Sequence, residues 1–66
     1  MEVGKTVVNV INEGGNVTAQ GIYYGEGIPT ADLKVKMPTI RHYAILVDGQ
    51  LRYYPTGYTT IQVAKN

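Results

Sequence analysis

Hydrophobic and polar residues alternate along most of this chain, and glycine or proline cuts the alternation at short intervals. Residues 5–12 (KTVVNVIN) and 17–24 (VTAQGIYY) read as strands joined by Glu13-Gly14-Gly15-Asn16, where glycine supplies the positive φ angles of a tight hairpin. A two-residue loop at Gly14-Gly15 predicts Val10 opposite Ala19, Val8 opposite Gly21 and Thr6 opposite Tyr23 on a core-like face. The other face carries Val7, Asn9, Ile11, Thr18, Gln20 and Ile22 and is mixed. Gly25-Glu26-Gly27-Ile28-Pro29-Thr30 then breaks the pattern. Beyond it Ala31, Leu33, Val35 and Met37 alternate with Asp32, Lys34 and Lys36, which predicts a short amphipathic edge strand. Outward lysines on such a strand discourage unwanted strand addition.

Residues 41–47 (RHYAILV) and 50–54 (QLRYY) flank Asp48-Gly49, a preferred pair for a type I′ turn. That turn pairs Val47 with Gln50, Leu46 with Leu51, Ile45 with Arg52, Ala44 with Tyr53 and Tyr43 with Tyr54. One face of the hairpin holds His42, Ala44, Leu46, Leu51 and Tyr53, and it is expected to be core. The opposite face holds Arg41, Tyr43, Ile45, Val47, Arg52 and Tyr54. Pro55-Thr56-Gly57-Tyr58 predicts a turn, and residues 59–64 (TTIQVA) predict a last strand with Ile61 and Val63 on one side.

Composition supports strand over helix. Eight Val, six Ile, seven Thr and six Tyr fit a pleated, half-buried surface. No stretch free of Gly and Pro is longer than residues 39–48, shorter than an average globular helix. With 66 residues the chain has room for a single domain, residues 1–66. The expectation is an all-β fold, a small barrel of five or six short antiparallel strands with no long helix, because closure removes edges that so short a chain cannot cover. The layout resembles the SH3-like barrel superfamily: a long connection after the second strand, a tight central hairpin, and a one-turn passage into a short last strand. The resemblance spans residues 6–64. The aromatic and acidic signature of peptide-binding SH3 domains is absent, so proline-rich peptides are not expected ligands.

A narrower similarity is to the plasmid-borne type II dihydrofolate reductases, SH3-like barrels of similar length that assemble one pore from four chains. There a Val-Gln-Ile-Tyr-Pro run lines the pore; here Leu51-Arg52-Tyr53-Tyr54-Pro55 follows Tyr43-Ala44-Ile45-Leu46, and Arg52 replaces the glutamine. That resemblance implies a homo-oligomer binding NADPH and folate. In size and style the chain also resembles small accessory proteins of bacteriophages, which implies a host protein as partner.

The missing residue types exclude most catalytic constellations. There is no Cys, Ser, Trp or Phe and only one His, so serine and cysteine nucleophiles and thiolate metal sites cannot be built. Gly4-Lys5-Thr6 lacks the rest of a phosphate loop and opens a strand, and Gly25-x-Gly27 has no helix after it. His42 reads as structural. No cofactor and no metal are expected, and the chain reads as non-enzymatic. Six basic against five acidic residues give a net charge of +1, too even to predict tight binding to nucleic acid or a membrane from charge alone. Neither a signal peptide nor a membrane span is visible, so a cytoplasmic location is expected.

The candidate binding cluster is Arg41, Tyr43, Arg52 and Tyr54, with Lys34 and Lys36 as auxiliary cations. Two aromatic rings beside two guanidinium groups stack bases and bind phosphate on sheets that hold nucleotides or single strands. The competing reading is plain packing, tyrosines against neighbours and arginine stems over apolar surface. Apolar residues on both faces of both hairpins point further to a homo-oligomer. A second functional class is a protein-interaction module, such as a phage-type inhibitor, docking through residues 25–38 or the hairpin face of Arg41, Tyr43, Ile45, Val47, Arg52 and Tyr54, expected to lie outside.

Overall fold

A computed structural model describes residues 1–28 and 40–64. The strand predicted over residues 31–37, with Lys34 and Lys36, lies outside the described residues. Among the described residues five antiparallel strands form one sheet: β1 (Val7–Ile11), β2 (Val17–Gly27), β3 (His42–Val47), β4 (Gln50–Pro55) and β5 (Thr60–Val63). Their order is β4-β3-β2-β1-β5. The one helical element among the described residues is a 3-10 turn, Thr56–Tyr58, between β4 and β5. The chain is a small all-β protein.

The central hairpin forms in the predicted register, from Val47 opposite Gln50 to Tyr43 opposite Tyr54. Asp48 and Gly49 both take positive φ, 50° and 78°, the conformation whose twist matches the flanking strands. The first hairpin reaches its register by another route. Gly14 does not adopt positive φ; Gly15 does, at 83°. Gly15 N–H donates to Asn12 C=O (3.0 Å) and Asn12 N–H to Asn16 C=O (2.9 Å), which makes a three-residue loop. The Asn12 side-chain oxygen accepts from Asn16 N–H at 3.0 Å and braces it. This loop shifts the pairing to Ile11 opposite Val17, and a bulge at Thr18 shifts it back, so that Val10 faces Ala19 and Val8 faces Gly21. Two departures of one residue cancel.

The sheet is rolled. Ile61 of edge strand β5 and Tyr54 of edge strand β4 pack against the same cluster, Val8, Val10, Ile45 and Val47. In a flat five-stranded sheet those edges would stand about 19 Å apart. Rolling does not become closure: among the described residues β5 pairs with β1 alone, and no ladder joins it to β4. The 3-10 turn intervenes between these edges, and Pro55 offers no N–H at the end of β4.

The roll settles which faces are inside, and for the central hairpin it reverses the expectation. Ile45 and Val8 are 0% exposed and Val47 6%, whereas Leu51 is 47% exposed. The face of Tyr43, Ile45 and Val47 is the core, and the face of Ala44, Leu46, Leu51 and Tyr53 is outside. His42 shares the strand parity of the outer face yet is buried at 3%, and its Nδ1 donates to the Ile40 carbonyl at 2.9 Å. Both hairpin faces are apolar, so alternation alone could not choose between them.

Gly21 permits the roll. A Cβ there would meet the Leu46 carbonyl oxygen of β3 and lie 2.9 Å from both Ile45 Cγ2 and the Leu46 carbonyl carbon. Those are backbone and core atoms that cannot step aside cheaply. Gly21→Ala is therefore expected to cost about 2 kcal/mol or more, a loss of roughly 8–16 °C in Tm for a chain this size. Gly15→Ala meets nothing within 4 Å and costs only the left-handed backbone, about 1–2 kcal/mol. Urea denaturation of both variants checks the ranking. For the faces, Ile45→Ala should cost about 2–5 kcal/mol and Leu51→Ala less than about 1; equal losses would return the hairpin to the opposite orientation.

Candidate functional site

Strand alternation places Arg41, Tyr43, Arg52 and Tyr54 on one side of the central hairpin, with Tyr43 directly opposite Tyr54. That side faces into the roll. Both rings are half-buried and pack against the core cluster, which leaves less of each ring for a stacked base than an outer face would. Arg52 lies opposite Ile45 in the edge strand β4 and is exposed.

Arg41 is tied to a residue that alternation did not bring into the picture. Strand β2 carries a second bulge, in which Tyr24 and Gly25 together oppose Ala44; the register passes from Tyr23–Ile45 to Glu26–Tyr43 across it. Gly25 takes φ 104° there. The extra residue turns Glu26 onto the same side as Tyr43, and Arg41 Nε donates to Glu26 Oε2 at 3.2 Å. The sequence pattern breaks at Gly25, but β2 runs on to Gly27, with Gly25 forming the bulge inside the strand rather than ending it. The pair is about half exposed at both ends, so it orients the arginine and contributes little to stability.

The outer face presents a different surface. Val7 lies opposite Ile22, Ile22 opposite Leu46 and Leu46 opposite Leu51, so one apolar row crosses four strands. Tyr53 stands beside it, opposite Ala44. The neighbouring row is made of amides: Gln20 Nε2 donates to Asn9 Oδ1 at 2.9 Å, and Gln62 of β5 stands opposite Asn9 on the other flank. No charged side chain occupies this face in the five strands.

No group of three or more His, Asp or Glu that could hold a metal exists among the described residues. Among them, too, no helix is long and apolar enough to cross a membrane.

Packing makes specific demands on the tyrosines. Tyr54→Ala should lower stability by about 1–3 kcal/mol, because it removes a half-buried ring from the core edge, while Tyr54→Phe should stay within about 0.5 kcal/mol. Glu26→Gln should cost no more than about 1 kcal/mol. Thermal unfolding distinguishes this from a pure stacking site, whose alanine variants leave stability unchanged.

Compared with known proteins, the chain matches no family model, no curated protein and no solved structure.

Proposed function

We propose that this chain is a non-enzymatic protein-interaction module that presents the outer face of β2, β3 and β4 to a partner protein. The observation that carries the reading is the uncharged apolar row through Ile22, Leu46 and Leu51, flanked by Tyr53. Leu51 at its end is 47% exposed, and apolar rows on a sheet exterior are what partner proteins cover. An SH3-like architecture is supported by the strand order β4-β3-β2-β1-β5 and by the 3-10 turn before the last strand. A phage-type inhibitor of a host protein and a cytoplasmic location fit this reading without being required by it.

A nucleotide or nucleic acid is the second reading, favoured by one observation. The exposed Arg52 guanidinium stands on the same side as the Tyr43–Tyr54 pair, and none of its ion pairs is with a carboxylate of the described residues. A phosphate there would place a base against the exposed edge of Tyr54. Such a contact contributes about 1–3 kcal/mol per base.

One set of variants separates the two. Tagged wild type, Leu51→Glu and Arg52→Ala are used to capture partners from bacterial lysate, and the captured protein is then titrated against each. The outer-face reading expects one stoichiometric protein whose affinity falls about tenfold or more in Leu51→Glu and is unchanged in Arg52→Ala. Equal affinity for Leu51→Glu and wild type overturns it. Titration with single-stranded DNA, RNA and nucleotides at low salt tests the second reading, which requires binding by wild type and its loss in Arg52→Ala.

A further inference from the structure

The two edges of the sheet are built differently. Their free backbone groups follow from the hydrogen bonds at the strand ends. Thr56 N–H donates to Arg41 C=O at 3.1 Å, so Tyr54, Arg52 and Gln50 also bond inward to β3, and Leu51, Tyr53 and Pro55 turn their backbones outward. Pro55 sits where it has no donor to offer. Arg52, at the middle of the strand, would confront its own copy in any symmetric pairing about that point. Both devices discourage strand addition at β4.

At β5 neither device is present. Ala64 N–H donates to Val7 C=O at 2.9 Å, which makes Gln62 and Thr60 the other inward-bonded residues and turns the N–H and C=O of Ile61 and Val63 outward. No strand among the described residues accepts those groups. Thr60–Val63 contains no charge and no proline, and Val63 is 51% exposed.

We propose that β5 pairs antiparallel with β5 of a second copy of this chain, about a two-fold axis through Gln62, to form one continuous ten-stranded sheet. The register follows from the outward groups. Centred on Gln62, Ile61 bonds with Val63 of the second copy and Val63 with its Ile61, which satisfies all the outward donors and acceptors of both strands. The same register keeps side-chain chemistry matched on both faces. Ile61 and Val63 meet their own kind beside Val8 and Val10, the residues opposite which they stand in β1. On the other face the two Gln62 amides meet, and they join the Gln20–Asn9 pairs of both copies into one amide row. No like charges face each other across the axis. A four-residue strand buries little area, so the dimer belongs to the weak, concentration-dependent class. The outer-face reading is separate, since Leu51 lies at the opposite edge and its substitution leaves β5 untouched.

The test is sedimentation equilibrium of the whole chain from about 1 μM to about 1 mM, with residue-resolved amide hydrogen exchange at both ends of that range. The expected result is a monomer–dimer equilibrium in wild type and in Leu51→Glu, and a monomer in Val63→Pro with an unchanged circular dichroism spectrum. Val63→Pro deletes an outward donor and no bond to β1. The exchange of Ile61 and Val63 amides should slow about tenfold or more at high concentration, while that of the outward amides Leu51 and Tyr53 should not. A wild type that stays monomeric near 1 mM, or a dimer whose Ile61 and Val63 amides exchange as fast as in the monomer, overturns the proposal. So does a dimer retained by Val63→Pro. Should that variant unfold, the wild-type exchange pattern decides alone.

Discussion

Strand β2 passes β3 with only a hydrogen atom at position 21 between its Cα and the neighbouring backbone. Any side chain there would fall on the Leu46 carbonyl, and the sheet would have to open. With glycine in place, β1 and β3 turn their apolar faces toward each other across β2, and Val8, Val10, Ile45 and Val47 exclude water together. Apart from the 3-10 turn Thr56–Tyr58, the described residues contain no helix, and they contain no second sheet to cover this face. Burial therefore depends on curvature, and curvature depends on the absence of a Cβ at one position.

The two bulges of β2 act within that constraint and account for the geometry of the candidate surfaces. The bulge near Thr18 restores the pairing that the Asn12–Asn16 loop had shifted, so Val8 and Val10 keep their inward direction. The bulge at Tyr24 and Gly25 lets Tyr23 and Glu26, three residues apart, share one side of the strand. Glu26 then meets Arg41. One side of the hairpin consequently holds a core cluster, a tyrosine pair and an ion pair, while the outer side is left with uncharged residues alone. The face that sequence alternation offered for stacking bases is the face on which the protein spends its rings on packing.

Local signals were legible and non-local ones were not. The Asp48-Gly49 turn fixed every pair of the central hairpin, because a type I′ turn dictates register by itself. The inward direction of Val8 and Val10 was also readable, although through a loop of the wrong length whose error the Thr18 bulge compensates. The orientation of the central hairpin was unreadable for a physical reason. Ala44, Leu46 and Tyr53 are as apolar as Tyr43, Ile45 and Val47, so the choice rests on how β2 pairs with β3. That pairing depends on Gly21 and Gly25, which in sequence look like weak points in a strand. Barrel closure is the part of the expected fold that does not form: the turn into β5 is visible in the sequence, but not that β5, among the described residues, bonds to β1 alone.

The balance of apolar residues explains why surfaces matter in this molecule. Four hydrophobic side chains are buried, whereas nine large ones are exposed among the described residues, and a chain of this length has too little interior to reverse that ratio. Rolling the sheet uses the β-branched residues of β1 and β3 to fill the inside. Val7, Ile22, Leu46 and Leu51 are then necessarily outside, because in a strand a residue between two inward neighbours points outward. An outer apolar row is thus a geometric consequence of burying the inner one. The sequence could still have broken that row with charge at Ile22 or Leu46, as β4 breaks its own edge with Arg52 and Pro55. It leaves the row unbroken on the face where no charge is present, and that contrast within a single sheet is the observation on which the proposed contact role of the outer face rests.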